Sequence, residues 1–237
     1  MSRPIAMFAA VLLTTVVVSA SCQARTAPVT YSISKASRDG NVQIDFASRL
    51  DQRNRSRWGQ GFAASDLRGL DLAALRSAAP VPARFSIIRD AGRLDCVGTV
   101  GRAGGKGECD YAANPAFDAL LAANGIARPT LNQGYSLTLS GVKREVVETL
   151  VSIRAPRPTV DQLVALGIFK VTPEYIRSFA AVGYRDLAAD KLVEMKIFNV
   201  TAADVSALRQ QGVERPTAQQ LVHRRIFGGR EPWRRQR

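Results

Sequence analysis

Arg128-Pro129-Thr130, Arg157-Pro158-Thr159 and Arg215-Pro216-Thr217 recur with one 29-residue step and then one of twice that length, with Asp186-Leu187-Ala188 at the intermediate place. Three residues after each threonine stands Gln133, Gln162 or Gln220, and Lys191 takes that position in the odd copy. Threonine followed three residues later by glutamine is a capping box, in which each side chain satisfies a free amide at a helix start. The apolar pairs downstream keep the same register: Leu163-Val164 with Ile168-Phe169, Leu192-Val193 with Ile197-Phe198, and Leu221-Val222 with Ile226-Phe227. A second helix is expected inside each full unit. Thr172-Pro173-Glu174 supplies a cap, a first-turn proline and a first-turn acid, Thr201 to Asp204 forms another box-like start, and Gly183 or Gly212 ends the helix. The first unit, from Thr130 to about Ala155, is degenerate but keeps Val146, Val147 and Leu150 at the matching places, and the last stops after one helix. A hairpin this small cannot bury its own apolar face, so neighbouring copies must stack.

Upstream the period falls to two. Val42, Ile44 and Phe46 alternate with polar neighbours, Phe85-Ser86-Ile87-Ile88 precedes the turn Asp90-Ala91-Gly92, and turn residues separate the runs. This predicts an antiparallel β domain over 29–127, with a short helix around Ser65 to Ser77 and a closing helix capped by Asn114 and opened by Pro115. Cys96 and Cys109 flank two short runs around a glycine turn near Arg102 and Ala103. In an antiparallel hairpin they fall opposite each other, as a cross-strand disulfide requires. Two reduced cysteines filling one strand face are the alternative. The fold class expected is α+β: an N-terminal antiparallel β domain, then a C-terminal array of α-helical hairpins with a 29-residue repeat over 128–229, then a basic tail over 230–237.

The segment 1–24 reads as a secretory signal. Arg3 supplies the positive start, Ile5 to Val18 carries no charge, and small residues follow at Ser19, Ala20 and Ser21. Cleavage after Ala20 fits, and Ser19-Ala20-Ser21-Cys22 also makes Cys22 a candidate for lipid attachment. A periplasmic or extracellular setting follows, in which a disulfide persists. The net charge is +13, from 33 Lys plus Arg against 20 Asp plus Glu. Such an excess suits an anionic glycan, a lipid surface or nucleic acid, and the last requires cytoplasmic residence, against which the leader argues. The densest cluster is Arg49, Arg53, Arg55 and Arg57 beside Trp58, which could grip an anionic group with guanidinium forks and a stacking ring.

Catalytic equipment is not found. The single histidine, His223, sits in a helix start of the last copy and cannot assemble a zinc site or a triad with the residues around it. The glycines from Gly98 to Gly107 fail as a phosphate loop, because Gly107 follows Lys106 where Ser or Thr is needed. Asp90, Asp95, Glu108 and Asp110 gather near the cysteine hairpin but have ordinary turn and strand roles. No enzyme activity, cofactor or metal is expected.

Val171-Thr172-Pro173-Glu174-Tyr175-Ile176 followed by Gly183-Tyr184, together with the Ile-Phe-x-Val-Thr segments, resembles the helical repeats of secreted bacterial proteins encoded near beta-lactamase-regulator-type membrane metallopeptidase sensors. Trp58-Gly59, Phe85 and Asn114-Pro115-Ala116-Phe117 are similar to the β domain that precedes those repeats. The resemblance implies the architecture but no activity, and the peptidase's H-E-x-x-H helix is missing here. The reading that results is an exported envelope protein that binds another envelope protein through its array, with a link to envelope sensing. Attachment to anionic envelope polymer through its arginines is the second reading.

Overall fold

The computed structural model describes residues 27–34, 41–51 and 54–228. The leader 1–24, Cys22, Arg53 and the tail 230–237 lie outside the described residues. Six strands come first: β1 (Ala27–Ile33), β2 (Val42–Asp51), β3 (Asn54–Phe62), β4 (Val81–Arg89), β5 (Gly92–Gly101) and β6 (Gly104–Ala113). Eight helices follow among the described residues: α1 (Pro115–Ala123), α2 (Leu131–Ser140), α3 (Arg144–Ser152), α4 (Val160–Ile168), α5 (Pro173–Ala181), α6 (Ala189–Ile197), α7 (Ala202–Gln210) and α8 (Ala218–Phe227).

The strands form one antiparallel sheet in the order β3-β2-β1-β6-β5-β4. Alternation puts Val29, Tyr31 and Ile33, Val42, Ile44 and Phe46, Phe85 and Ile87, and Leu94 and Cys96 on one buried face. Helix α2 fills that face with Tyr135 and Leu139. The sheet must curve around it. Laid flat, the two edge strands would stand about 24 Å apart, five strand spacings, yet the chain leaving β3 at Phe62 pairs with β4 only six residues later, where Arg68 and Ser86 exchange backbone hydrogen bonds of 2.9 and 2.8 Å. Six residues reach about 20 Å at full extension, and these include a helical turn. A bidentate contact of Asp66 with Arg89, 2.9 Å at each oxygen, secures the same crossing.

The helix expected around Ser65 to Ser77 is not formed. Two single 3-10 turns stand there instead, Ala64–Asp66 and Ala74–Arg76. Gly69 at φ 87° and the Asp71 carboxylate, which accepts from the Ala73 amide at 2.8 Å, interrupt the run. The pairing of Arg68 with β4 takes the backbone groups a helix would need. Leu67 still reaches the sheet core, with Leu70 and Leu75 packed against it, so the leucine spacing reports burial rather than helix.

Helix starts follow the cap chemistry. Thr130, Thr159 and Thr217 each form the reciprocal threonine–glutamine box, with bonds of 2.8 to 3.2 Å. Asn114 caps α1, Thr172 caps α5 and Thr201 with Asp204 boxes α7, while α6 starts at Ala188 with no side-chain cap. Contacts run from α2 to α4 to α6 to α8 in one layer and from α1 to α3 to α5 in another. Phe117 and Leu121 of α1 lie in the cluster that α2, α3 and α4 share, not in the sheet's cluster, so α1 packs with the helices that follow it. A further cluster joins Phe179, Met195, Val205, Leu208 and Leu221.

Candidate docking surface

Cys96 and Cys109 are direct cross-strand partners of β5 and β6 and form a disulfide, with Cα atoms 4.0 Å apart and both residues at most 2% exposed. The bond is compatible with an exported protein. No helix among the described residues is long and apolar enough to cross a membrane.

The glycines beside the cysteines serve an aromatic ring. Tyr31 of β1 stands opposite Gly107, and a Cβ on Gly107 would come 2.6 Å from its Cε1, while one on Gly98 would come 2.6 Å from its Oη. The ring thus lies across two strands where no side chain competes for the space. Of the carboxylates nearby, Asp95 and Asp110 face each other on the outer side of the sheet. Asp95 bonds Ser86 at 2.7 Å and Arg93 at 2.9 Å, and Asp90 accepts the Arg144 amide at 2.7 Å. Each carboxylate so bonded has a structural partner. His223 lies half-buried in α8, its ring 4.4 Å from that of Phe227. No group of three or more His, Cys, Asp or Glu among the described residues is placed to hold a metal ion.

The described part of the arginine-rich segment lies on two paired strands. Arg49 lies in β2 and Arg55, Arg57 and Trp58 in β3. Successive strand residues point to opposite faces. Arg57 is exposed beside Ala47, whereas Trp58 stands opposite buried Phe46, packs on the core and donates its indole N–H to Gln60 Oε1 at 3.1 Å. The indole is therefore directed away from the face that carries Arg57.

The apolar pairs at the ends of α4, α6 and α8 share one register in the sequence, which does not say which way they face. They are exposed: Ile168 44%, Phe169 39%, Ile197 46%, Phe198 38%, Ile226 49% and Phe227 53%. The cause is local. Phe169 is the C-cap of α4, Lys170 turns left-handed at φ 54°, and the Val171 amide bonds the Leu166 carbonyl at 2.9 Å. This closing turn sends the residue after the left-handed position into the core, and Val171 is 3% exposed. The two residues before it are turned outward. The end of α6 repeats the arrangement, with Asn199 at φ 52° and the Val200 amide on the Met195 carbonyl at 2.9 Å.

Since α4, α6 and α8 are neighbours in one layer, the pairs form a row. At roughly 10 Å per helix spacing it is about 20 Å long. Six side chains of roughly 200 Å², each close to half exposed, present on the order of 500 Å² of apolar surface, near the largest patch a soluble monomer ordinarily shows. At the end of α2 the matching place is covered: Leu139 and Ser140 are each 1% exposed, Leu139 belongs to the sheet core, and its carbonyl accepts from Gln60 Nε2 at 3.1 Å. The row begins where the sheet stops. Cations flank it in sequence: Lys170 after the first pair, Lys196 before the second, Arg224 and Arg225 before the third. The carboxylates on the facing helix starts are paired within the chain, Asp204 with Arg225 at 2.9 Å and Glu174 with Arg177 at 3.7 Å.

A cleft of about 570 Å³ between α1 and α3 is lined by Ala122, Val147, Val151, Arg154 and Arg157. It brings no acid–base pair together. Comparison of this chain with family models, characterised proteins and solved structures finds no match.

Proposed function

We propose that this chain is an exported, non-catalytic envelope protein that docks another envelope component along the row of Ile–Phe pairs. The observation that carries the reading is the exposure of six large apolar side chains, in pairs at the C-terminal ends of the neighbouring helices α4, α6 and α8. Export rests on the leader-like segment 1–24 and on the disulfide. The link to envelope sensing rests on the resemblance of the repeats.

In this reading the helices are four copies of one 29-residue hairpin. Helices α1, α3, α5 and α7 begin at 115, 144, 173 and 202, and α2, α4, α6 and α8 at 131, 160, 189 and 218. The left-handed positions Gly141, Lys170, Asn199 and Gly228 keep the same interval, as do Gly125, Arg154, Gly183 and Gly212. The first copy thus opens with α1, and α7–α8 is the fourth. Bonds between neighbours hold the copies in line: Gln133 to Asp161 at 3.0 Å, Arg177 to the Thr149 hydroxyl at 3.2 Å, and Arg215 to Asp186 at 3.1 Å. The fourth copy differs at one buried place. Where the first three bury Leu137, Leu166 and Met195, it carries Arg224, half-buried and bonded to Gln211 at 3.1 Å.

The test is retention by the envelope. The parent protein and a Phe169→Ala/Phe198→Ala/Phe227→Ala variant are mixed with envelope fractions and sedimented. We expect the variant's retention to fall at least tenfold with an unchanged far-UV circular dichroism spectrum. Equal retention of the two would remove the row from the function.

A further inference from the structure

Resting on that reading, we propose that the component met by the row is a phospholipid bilayer surface carrying anionic headgroups. Shape is the first argument. The six side chains stand at helix ends, and each is 38–53% exposed. A partner helix needs a groove to lie in, whereas projecting aliphatic and aromatic side chains suit insertion into the headgroup–acyl boundary.

Charge is the second. Lys170, Lys196 and Arg224 adjoin the apolar pairs, Lys196 lying over the Tyr175 ring and Arg224 bonded to the neutral Gln211, while Arg225 is paired with Asp204. The helical residues 130–228 carry 13 Lys and Arg against 9 Asp and Glu. The next nine residues, Gly229 to Arg237, add four arginines against one glutamate, with Trp233 among them. An apolar row bordered by cations is the pattern that anionic lipid attracts.

Area is the third. On the order of 500 Å² falls short of the roughly 800 Å² per partner of a standard protein interface. A second copy would also bring the same cations against themselves, which opposes self-association. Lipid contact requires no such minimum, because each inserted side chain contributes by itself.

The experiment uses the full chain and sucrose-loaded vesicles of phosphatidylglycerol and phosphatidylcholine in equal parts, beside vesicles of phosphatidylcholine alone. The parent protein should sediment with the anionic vesicles at least tenfold more than with the neutral ones, and raising the salt tenfold should weaken that binding. The triple Phe→Ala variant should lose it by at least tenfold. Because another segment could bind lipid by itself, a Phe198→Trp variant locates the contact: brominated acyl chains should quench its added fluorescence on anionic vesicles. Absence of sedimentation, sedimentation indifferent to the three phenylalanines, or an unquenched Trp at 198 overturns the proposal. If vesicles fail while envelope retention still depends on the phenylalanines, the row docks a protein and only the lipid assignment falls. If both fail, the docking role falls with it.

Discussion

Replacing Gly134 by alanine sets helix propensity against packing. In an exposed helix interior the change stabilises by about 0.5–1 kcal/mol. Here Gly134 lies in the buried face of α2, where a Cβ would stand 2.6 Å from Tyr111 Oη and 3.6 Å from its Cζ. Tyr111 has nowhere to retreat. Its ring is held on one side by Tyr135, centroid to centroid 5.9 Å, and on another by Gly92, whose own missing Cβ would come 3.0 Å from Cε2. Overpacking of this kind costs about 1–3 kcal/mol, so the net effect expected is destabilisation by about 1–2 kcal/mol. The Tyr111 hydroxyl is buried and makes no hydrogen bond among the described residues, the nearby Thr138 hydroxyl donating instead to the Gly134 carbonyl at 2.9 Å. Tyr111→Phe should therefore be near neutral, since the group removed has a desolvation cost that no partner offsets. With the hydroxyl gone, Gly134→Ala should recover its propensity gain, leaving a coupling of about 2 kcal/mol in the double-mutant cycle. Urea denaturation of the four proteins, followed by circular dichroism, measures it. Additive effects, or a Gly134→Ala protein more stable than the parent with Tyr111 intact, would refute the packing argument.

Reducing the disulfide, whose cysteines have a sequence separation of 13, should lower stability by about 3 kcal/mol, and equal urea midpoints with and without reductant would contradict this. Thr159→Ala should cost about 1 kcal/mol through loss of the α4 box, while Ala188→Thr should stabilise by up to about 1 kcal/mol by capping α6. Thermal melts of both separate cap chemistry from mere tolerance. Hydrogen bonding by Arg89 holds the Asp66 carboxyl below its ordinary value of 3.8. A lowered folded value gives stability that is present above the unfolded pKa and lost as pH falls through the folded one. The melting difference between parent and Asp66→Asn should accordingly be full at neutral pH, shrink below about pH 4 and vanish once the pH is under the folded value. Asp118 has the opposite sign, because burial raises its pKa more than Arg128 lowers it. Asp118→Asn should thus gain relative to the parent as pH rises through the ordinary carboxylate range, and a constant difference across pH would count against the burial argument.

Legibility followed range. The caps at Thr130, Thr159, Thr172 and Thr217, the first-turn prolines at 115 and 173 and the terminal glycines at 183 and 212 were readable because each acts within one helical turn. The pairing of Cys96 with Cys109 was readable because a short glycine turn sets the hairpin register. The leucines from Leu67 to Leu75 misled, since their spacing recorded burial while Gly69 and the bridge to Ser86 dictated the backbone. In the arginine–tryptophan cluster, adjacency in sequence did not reveal that Arg57 and Trp58 face opposite ways, as neighbours on a strand do.

By itself the sequence determined where helices start and stop, which strands pair through tight turns, and which two thiols meet. Those outcomes depend on torsion preferences and hydrogen bonds among residues a few positions apart. Tertiary structure alone decided that the sheet curls around α2, that α1 packs with the helices, and that three Ile–Phe pairs face outward while Leu139 at the matching place is covered. An apolar residue in register is equally content against a sheet, a helix or a partner. Only the assembled layers decide which surfaces find a neighbour within the chain and which are left for something else.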